Sequence, residues 1–160
     1  KVMVLPSGFT STIKTINAPE GEIKEAFAPM SISLLLDDEI DISRGDMIVR
    51  ENNSPQNSQD IDIMLCWLNE KKLQEGGRYI VKHTSREVRC IVKEILYKID
   101  ISHLRRIENE TSFGVNDIGR VVLRTTQPLF FDSYRRNRNT GSLILIDEGT
   151  NETVGAGMIV

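Results

Sequence analysis

The sequence predicts an all-β chain built as two units, and three observations carry that expectation. Short runs rich in Val, Ile, Leu and aromatic residues recur at intervals of roughly 8–12 residues. Glycine or polar turns separate them, and no stretch of about 10–15 residues with helical periodicity lies between them. The composition agrees: 39% hydrophobic and 27% charged residues without a low-complexity tract are those of a globular protein, and 160 residues suffice for one good core or two small ones.

Taken in order, the first run, Lys1 to Leu5, meets Pro6-Ser7-Gly8. Pro6 supplies a fixed φ and Gly8 a permissive one, so a tight hairpin should lead into Thr10 to Ile16. Glu22 to Ala28 mixes Ile, Lys, Glu and Ala and could form one helical turn, which Pro29 would stop. Met30 to Leu36 reads as a buried strand. Asp37 to Asp46 is acidic and turn-rich, closing on Gly45 before a further strand at Met47 to Arg50. Glu51 to Asp60 then holds asparagine, glutamine, serine and one proline with no hydrophobic anchor, as a linker or a long inter-strand loop does. The expected division is therefore 1–52, a linker at 53–60, and 61–160. Within the second unit, Ile61 to Leu68, Arg78 to His83, Glu87 to Tyr97, Arg120 to Leu123 and Leu143 to Ile146 are the expected strands of a barrel or sandwich.

Several function classes are disfavoured. A formal net charge of −3 offers no broad basic face for nucleic acid. No apolar run approaches the roughly 20 residues that span a bilayer as a helix, so no membrane partner is expected. The two cysteines, Cys66 and Cys90, sit in strand-like stretches without a disulfide framework, which points to a reducing, cytoplasmic compartment. Lys1 stands inside an apparent strand with no initiator methionine ahead of it, so the chain is expected to be an excised piece, and the resemblance set out below implies a first barrel whose strand edge is exposed or paired with another molecule.

The search for chemistry assigns no catalytic, cofactor-binding or metal-ligating residue. A G-x-x-x-x-G-K-[ST] loop is absent, and Gly155-Ala156-Gly157 has no helix after it. His83 and His103 form no ligand pair with each other or with a cysteine. Cys66, in Ile63-Met64-Leu65-Cys66-Trp67-Leu68, is expected to be a small core residue, with Trp67 on the other side of the sheet. Asp37-Asp38-Glu39-Ile40-Asp41 lacks the spacing that wraps a calcium ion and reads as a solvated turn. One cluster remains, Tyr134-Arg135-Arg136-Asn137-Arg138-Asn139-Thr140-Gly141. Arginine forks bind carboxylates and phosphates bidentately, so Arg135, Arg136 and Arg138, with Asn139 and Thr140, are candidates for a docking loop. On residue type alone, a solvated hairpin tip accounts for them equally well.

Particular phrases add a resemblance. Ile40-Asp41-Ile42-Ser43-Arg44-Gly45-Asp46-Met47-Ile48 resembles the turn-to-strand element near the end of the second-domain barrel of elongation factor Tu-like GTPases. Glu25-Ala26-Phe27-Ala28-Pro29-Met30-Ser31-Ile32 is similar to an earlier element of that barrel, with Pro29 where glycine is usual. Val4-Leu5-Pro6-Ser7-Gly8, Leu36 to Asp46, Val115-Asn116-Asp117-Ile118-Gly119-Arg120-Val121 and the ending from Arg138-Asn139-Thr140-Gly141-Ser142 resemble, within that superfamily, the large subunit of sulfate adenylyltransferases. The resemblance implies two small antiparallel β-barrels in tandem, the first truncated at its N-terminal side. It implies a parent enzyme whose GTPase domain, with GTP and Mg²⁺, drives the formation of adenosine 5′-phosphosulfate from ATP and sulfate. The partners it implies are that GTPase domain and a separate small adenylyltransferase subunit, and it leaves no enzymatic activity to this stretch. The alternative is an RNA-binding barrel module of the kind translation factors use, which the absence of aromatics interleaved with the basic loop disfavours.

Overall fold

The computed structural model describes residues 1–160, and every regular element in it is a strand. The chain divides into two compact units, Lys1–Ser54 and Pro55–Val160.

The first unit contains β1 (Val2–Leu5), β2 (Thr10–Ser11), β3 (Ile13–Ala18), β4 (Gly21–Ile23), β5 (Ser33–Leu36) and β6 (Met47–Arg50). They form two three-stranded antiparallel sheets, β2-β1-β6 and β4-β3-β5. The hairpin expected at Pro6-Ser7-Gly8 is present: Gly8, at φ 77°, donates its N–H to the Val4 carbonyl at 2.7 Å, and Val4 donates to Phe9 at 2.8 Å. Two expectations fail here. Glu22 and Ile23 belong to β4, paired to Asn17 and Ile16, and the residues after them form no helical turn. A single turn of helix costs more in fixed dihedrals than its one hydrogen bond returns, so the strand pairing wins. Met30 to Leu36 is not a buried strand: only Ser33–Leu36 is extended, and Leu35 is 55% exposed. In the acidic turn, Asp38 accepts the Ser11 hydroxyl at 2.8 Å and Asp46 accepts the Ser43 N–H at 2.9 Å.

The second unit contains β7 (Gln56–Trp67), β8 (Leu73–Gln74), β9 (Arg78–His83), β10 (Arg86–Asp100), β11 (Arg105–Ile107), β12 (Ser112–Phe113), β13 (Ile118–Phe131), β14 (Ser142–Ile146) and β15 (Thr153–Ile159). Strands β10-β13-β7-β15-β14-β9 run antiparallel in that order, and β9 pairs back to β10, which closes a six-stranded barrel. The residues expected to be a linker are partly strand, because Gln56, Asn57 and Ser58 pair with Phe131, Phe130 and Leu129. Polar composition misled there: the segment is held by a partner about 70 residues away and not by its own side chains.

Alternation along the strands fills the barrel. Ile61, Ile63, Leu65 and Trp67 of β7 point inward with Val81, Cys90, Val92, Val121, Leu123, Leu145 and Ile159. The reading of Cys66 and Trp67 is thereby inverted: Trp67 is 1% exposed inside the barrel, against Tyr79 with ring centroids 5.4 Å apart, whereas Cys66 lies half-buried on the outer face. Trp67 shares parity with Ile61, Ile63 and Leu65, and its large apolar area decides which face turns inward. Gly155 and Gly157 are inward positions of β15, where Leu65, Ile63 and Leu143 occupy the space side chains would need. The short β8–β12 pair brings Leu73 and Phe113, both fully buried, into the same core.

Candidate partner-binding loop

The arginine cluster lies in the connection between β13 and β14, and the barrel dictates its shape. Within it, the Ser133 carbonyl accepts the N–H groups of Arg136 and Asn137 at 2.9 and 3.0 Å, and the Asn137 carbonyl accepts that of Gly141 at 2.8 Å. Asn137 Oδ1 also accepts the N–H of Asn139 at 3.1 Å. The base of the loop is tied to β15, since Tyr134 donates to the Ile159 carbonyl at 2.9 Å and Ile159 donates to that of Gly141 at 2.7 Å. Gly141 is required by space, because a Cβ there would come 2.4 Å from the Tyr134 Cα.

His83, at the end of β9, supplies the tie to a third strand. It is 2% exposed, and its Nε2–H donates to the Thr140 carbonyl at 2.7 Å. A carbonyl only accepts, so this contact selects the tautomer protonated at Nε2. Burial holds the imidazole below its ordinary pKa, outweighing the pull of the carbonyl in the other direction. The Thr140 hydroxyl bonds Asp132, donating to its carboxylate at 3.3 Å and accepting its N–H at 3.4 Å. Thr140 thus ties the loop to the barrel, whereas Asn139 is exposed.

The three arginines point outward with different commitments. Arg136 lies 4.0 Å from the Asp132 carboxylate and remains 73% exposed. The Arg138 guanidinium sits 5.8 Å from the Tyr134 ring centroid. Arg135 is exposed and has no carboxylate within ion-pair distance. Surface pairs of this kind are worth little to the fold, so the guanidiniums remain available to an outside carboxylate or phosphate.

Elsewhere the notable motifs serve the barrel. In Asn116-Asp117-Ile118-Gly119-Arg120, the Asp117 carboxylate accepts the Gly114 N–H at 2.7 Å, and Arg120 forks onto both oxygens of Asp62 at 2.8 and 2.7 Å. That pairing raises the Arg120 pKa further above its ordinary value, and it lies on the outer face between β13 and β7.

A cleft of about 450 Å³ that the sequence did not signal brings together Arg78, Arg89, Arg124, Tyr79, Cys90 and Glu148. Arg89 is bonded to Glu148, and Arg124 to Asp60 at 3.0 Å, which leaves Arg78 as its one uncommitted guanidinium. Lys93 first, then Arg124, holds the Asp60 carboxyl below the usual range. The outward arginines of β10 and β13 meet only through strand register, which local sequence does not reveal.

Comparison with known proteins agrees with this geometry. Residues 60–160 match the family model described as GTP-eEF1A C-terminal domain-like. The whole chain is 48% identical to the "Bifunctional enzyme CysN/CysC" of Mycobacterium tuberculosis (strain CDC 1551 / Oshkosh), spanning 26% of that protein. It is 41% identical over its full length to "Sulfate adenylyltransferase subunit 1" of Bacteroides fragilis (strain YCH46), spanning 33% of it. A crystal structure of sup35 complexed with GDP superposes on 99% of the chain with a TM-score of 0.88 at 18% identity, covering 39% of that structure, a likeness of fold alone. The chain therefore spans 25–35% of the length of these curated relatives, and it belongs to the GTP-eEF1A C-terminal domain-like family.

Proposed function

We propose that this chain is the C-terminal β-barrel region of the GTP-hydrolysing subunit of a sulfate adenylyltransferase, and that it acts as a coupling and partner-binding module. The observation that carries the reading is a likeness extending over the entire chain to a protein named sulfate adenylyltransferase subunit 1, at 41% identity. In this reading the GTPase domain elsewhere in the parent binds GTP and Mg²⁺, and a separate small subunit transfers the adenylyl group. The setting is cytoplasmic and reducing, consistent with Cys66 and Cys90 as free thiols.

Physical reasons favour a docking role for the arginine loop. A closed barrel has no free edge and little internal freedom, so a loop tied to β9, β13 and β15 keeps its place while neighbouring parts move. Arg135, Arg136, Arg138 and Asn139 would then meet an acidic surface of the small subunit, with Thr140 fixing the base of the loop. The experiment is a calorimetric titration of the small adenylyltransferase subunit with this protein and with the Arg135→Ala/Arg136→Ala/Arg138→Ala variant. Saturable binding that the triple change weakens about tenfold, or roughly 1.4 kcal/mol, is the expected result. Equal affinity of the two proteins would remove the loop from the interface, and tight, salt-sensitive binding of tRNA in place of the subunit would favour the RNA-binding alternative.

A further inference from the structure

The hairpin of β10 and β11 continues the barrel sheet past the start of β13 and ends in an exposed turn. Strand β10 makes its last pair with β13 at Lys98↔Gly119 and continues with β11 alone, in the register Ile99↔Arg106 and Asp100↔Arg105. The four residues between them, Ile101 to Leu104, form the turn. Leu104 is 86% exposed and Ile101 58% exposed, the former at φ 51°. Single exposed apolar residues are common and require no explanation. Here two of them share one exposed turn, and a leucine occupies a left-handed position that asparagine or glycine would take with less strain. The sequence accepts a conformational cost and a solvation cost at the same residue.

The tip is also ordered in advance. The Asp100 carboxylate receives the N–H groups of Ser102 at 3.1 Å and His103 at 3.2 Å, His103 Nδ1 at 2.8 Å and Arg105 Nε at 3.3 Å. These bonds, that from the His103 ring foremost, hold the Asp100 carboxyl below its usual range. Alongside, the Arg106 guanidinium stacks 4.5 Å from the Tyr97 ring centroid. Asp100, the one carboxylate between Ile99 and Ile107, is internally engaged, Arg105 bonding it while remaining exposed, so the turn itself presents the guanidiniums of Arg105 and Arg106, with Glu108 following beyond Ile107.

We infer that the β10–β11 hairpin is a docking arm that seats Leu104 and Ile101 in an apolar socket edged by carboxylates on the small adenylyltransferase subunit, an assignment that rests on the heteromeric reading above. Apolar anchors beside exposed guanidiniums suit such a socket, and a tip fixed before contact loses little freedom on docking.

The test uses the full-length GTPase subunit and its small subunit, with Leu104→Asn as the main variant and Leu104→Met as the control. Asparagine tolerates the left-handed backbone and removes the exposed apolar group, so Leu104→Asn should unfold at an equal or higher temperature than the parent while its Kd for the small subunit rises at least tenfold. Leu104→Met should keep the parent affinity within about twofold. An unchanged Kd for Leu104→Asn overturns the docking arm and leaves the heteromeric reading intact. Failure of the unmodified full-length protein to bind the small subunit overturns both.

Discussion

Replacing His83 with Phe tests the central structural claim about the candidate loop, that a buried neutral imidazole ties it to β9. The change keeps a planar ring but a larger one, so some overpacking adds to its effect at this buried site. What it removes is the Nε2–H donor 2.7 Å from the Thr140 carbonyl, at a position only 2% exposed. Leaving this part-buried carbonyl without its donor costs at most about 1–3 kcal/mol. The same group gives the fold a pH dependence with a definite sign. Burial lowers the His83 pKa in the folded state below its ordinary 6.5, so the unfolded chain binds the proton more readily. The stabilisation is complete above 6.5, declines as the pH falls towards the lowered folded value, and is absent below that value. One proton limits the slope to about 1.4 kcal/mol per pH unit. Asp60, Asp100 and Asp147, whose carboxyls are also depressed, lose their contributions only below 3.8, outside this window. Urea unfolding followed by the fluorescence of Trp67 is the assay, since this sole tryptophan is buried in the barrel and reports on that unit. Between about pH 8 and about pH 5, the unmodified protein should lose more stability than His83→Phe. Equal pH dependence in the two proteins would refute the assignment of His83 as a neutral buried donor.

Two further outcomes follow from packing and thiol chemistry. Gly119→Ala would place a Cβ 2.2 Å from the Tyr97 carbonyl and 2.5 Å from the Phe113 ring, so urea melts should show a loss of roughly 2–3 kcal/mol, because a backbone carbonyl must move. Burial pushes the Cys90 thiol up to about 12, so mass spectrometry of iodoacetamide-treated native protein should find the label at the half-exposed Cys66, with Cys90 modified only after unfolding.

What the sequence disclosed depended on how local the signal was. The barrel strands were legible where alternation was clean, as in Ile61, Ile63, Leu65 and Trp67, and the all-β class followed from them. That same parity placed Trp67 inside, yet the frequent burial of free cysteine drew the reading towards Cys66, so a residue-type tendency overrode a periodicity that was correct. Strand β15 escaped notice because Gly155 and Gly157 stand where inward apolar residues would have marked it. The polar start of β7 escaped notice because its pairing partner, the end of β13, lies far along the chain. The arginine loop was legible as a composition and not as a geometry: the contact that fixes it runs from Thr140 to His83, 57 residues earlier.

That geometry bears on the choice between a docking loop and a solvated hairpin tip. A tip that served only to reverse the chain would need turn chemistry alone, and Asn137 with Gly141 would suffice. This one is also bonded to a buried histidine of β9 and to the last residues of β15, so its backbone order is established when the barrel folds. A partner meeting it gives up only the freedom of the arginine side chains, on the order of 0.5–1.5 kcal/mol each, and charge-assisted forks can exceed that cost when they find carboxylates. RNA is a weaker match for the same arrangement. Three arginines would release about two counterions from a single strand, a small salt dependence, and the net charge of −3 adds no long-range attraction to phosphate. A preordered basic loop on an otherwise acidic protein gains most from a compact acidic surface that approaches at one fixed angle, which is the kind of surface another folded protein can present.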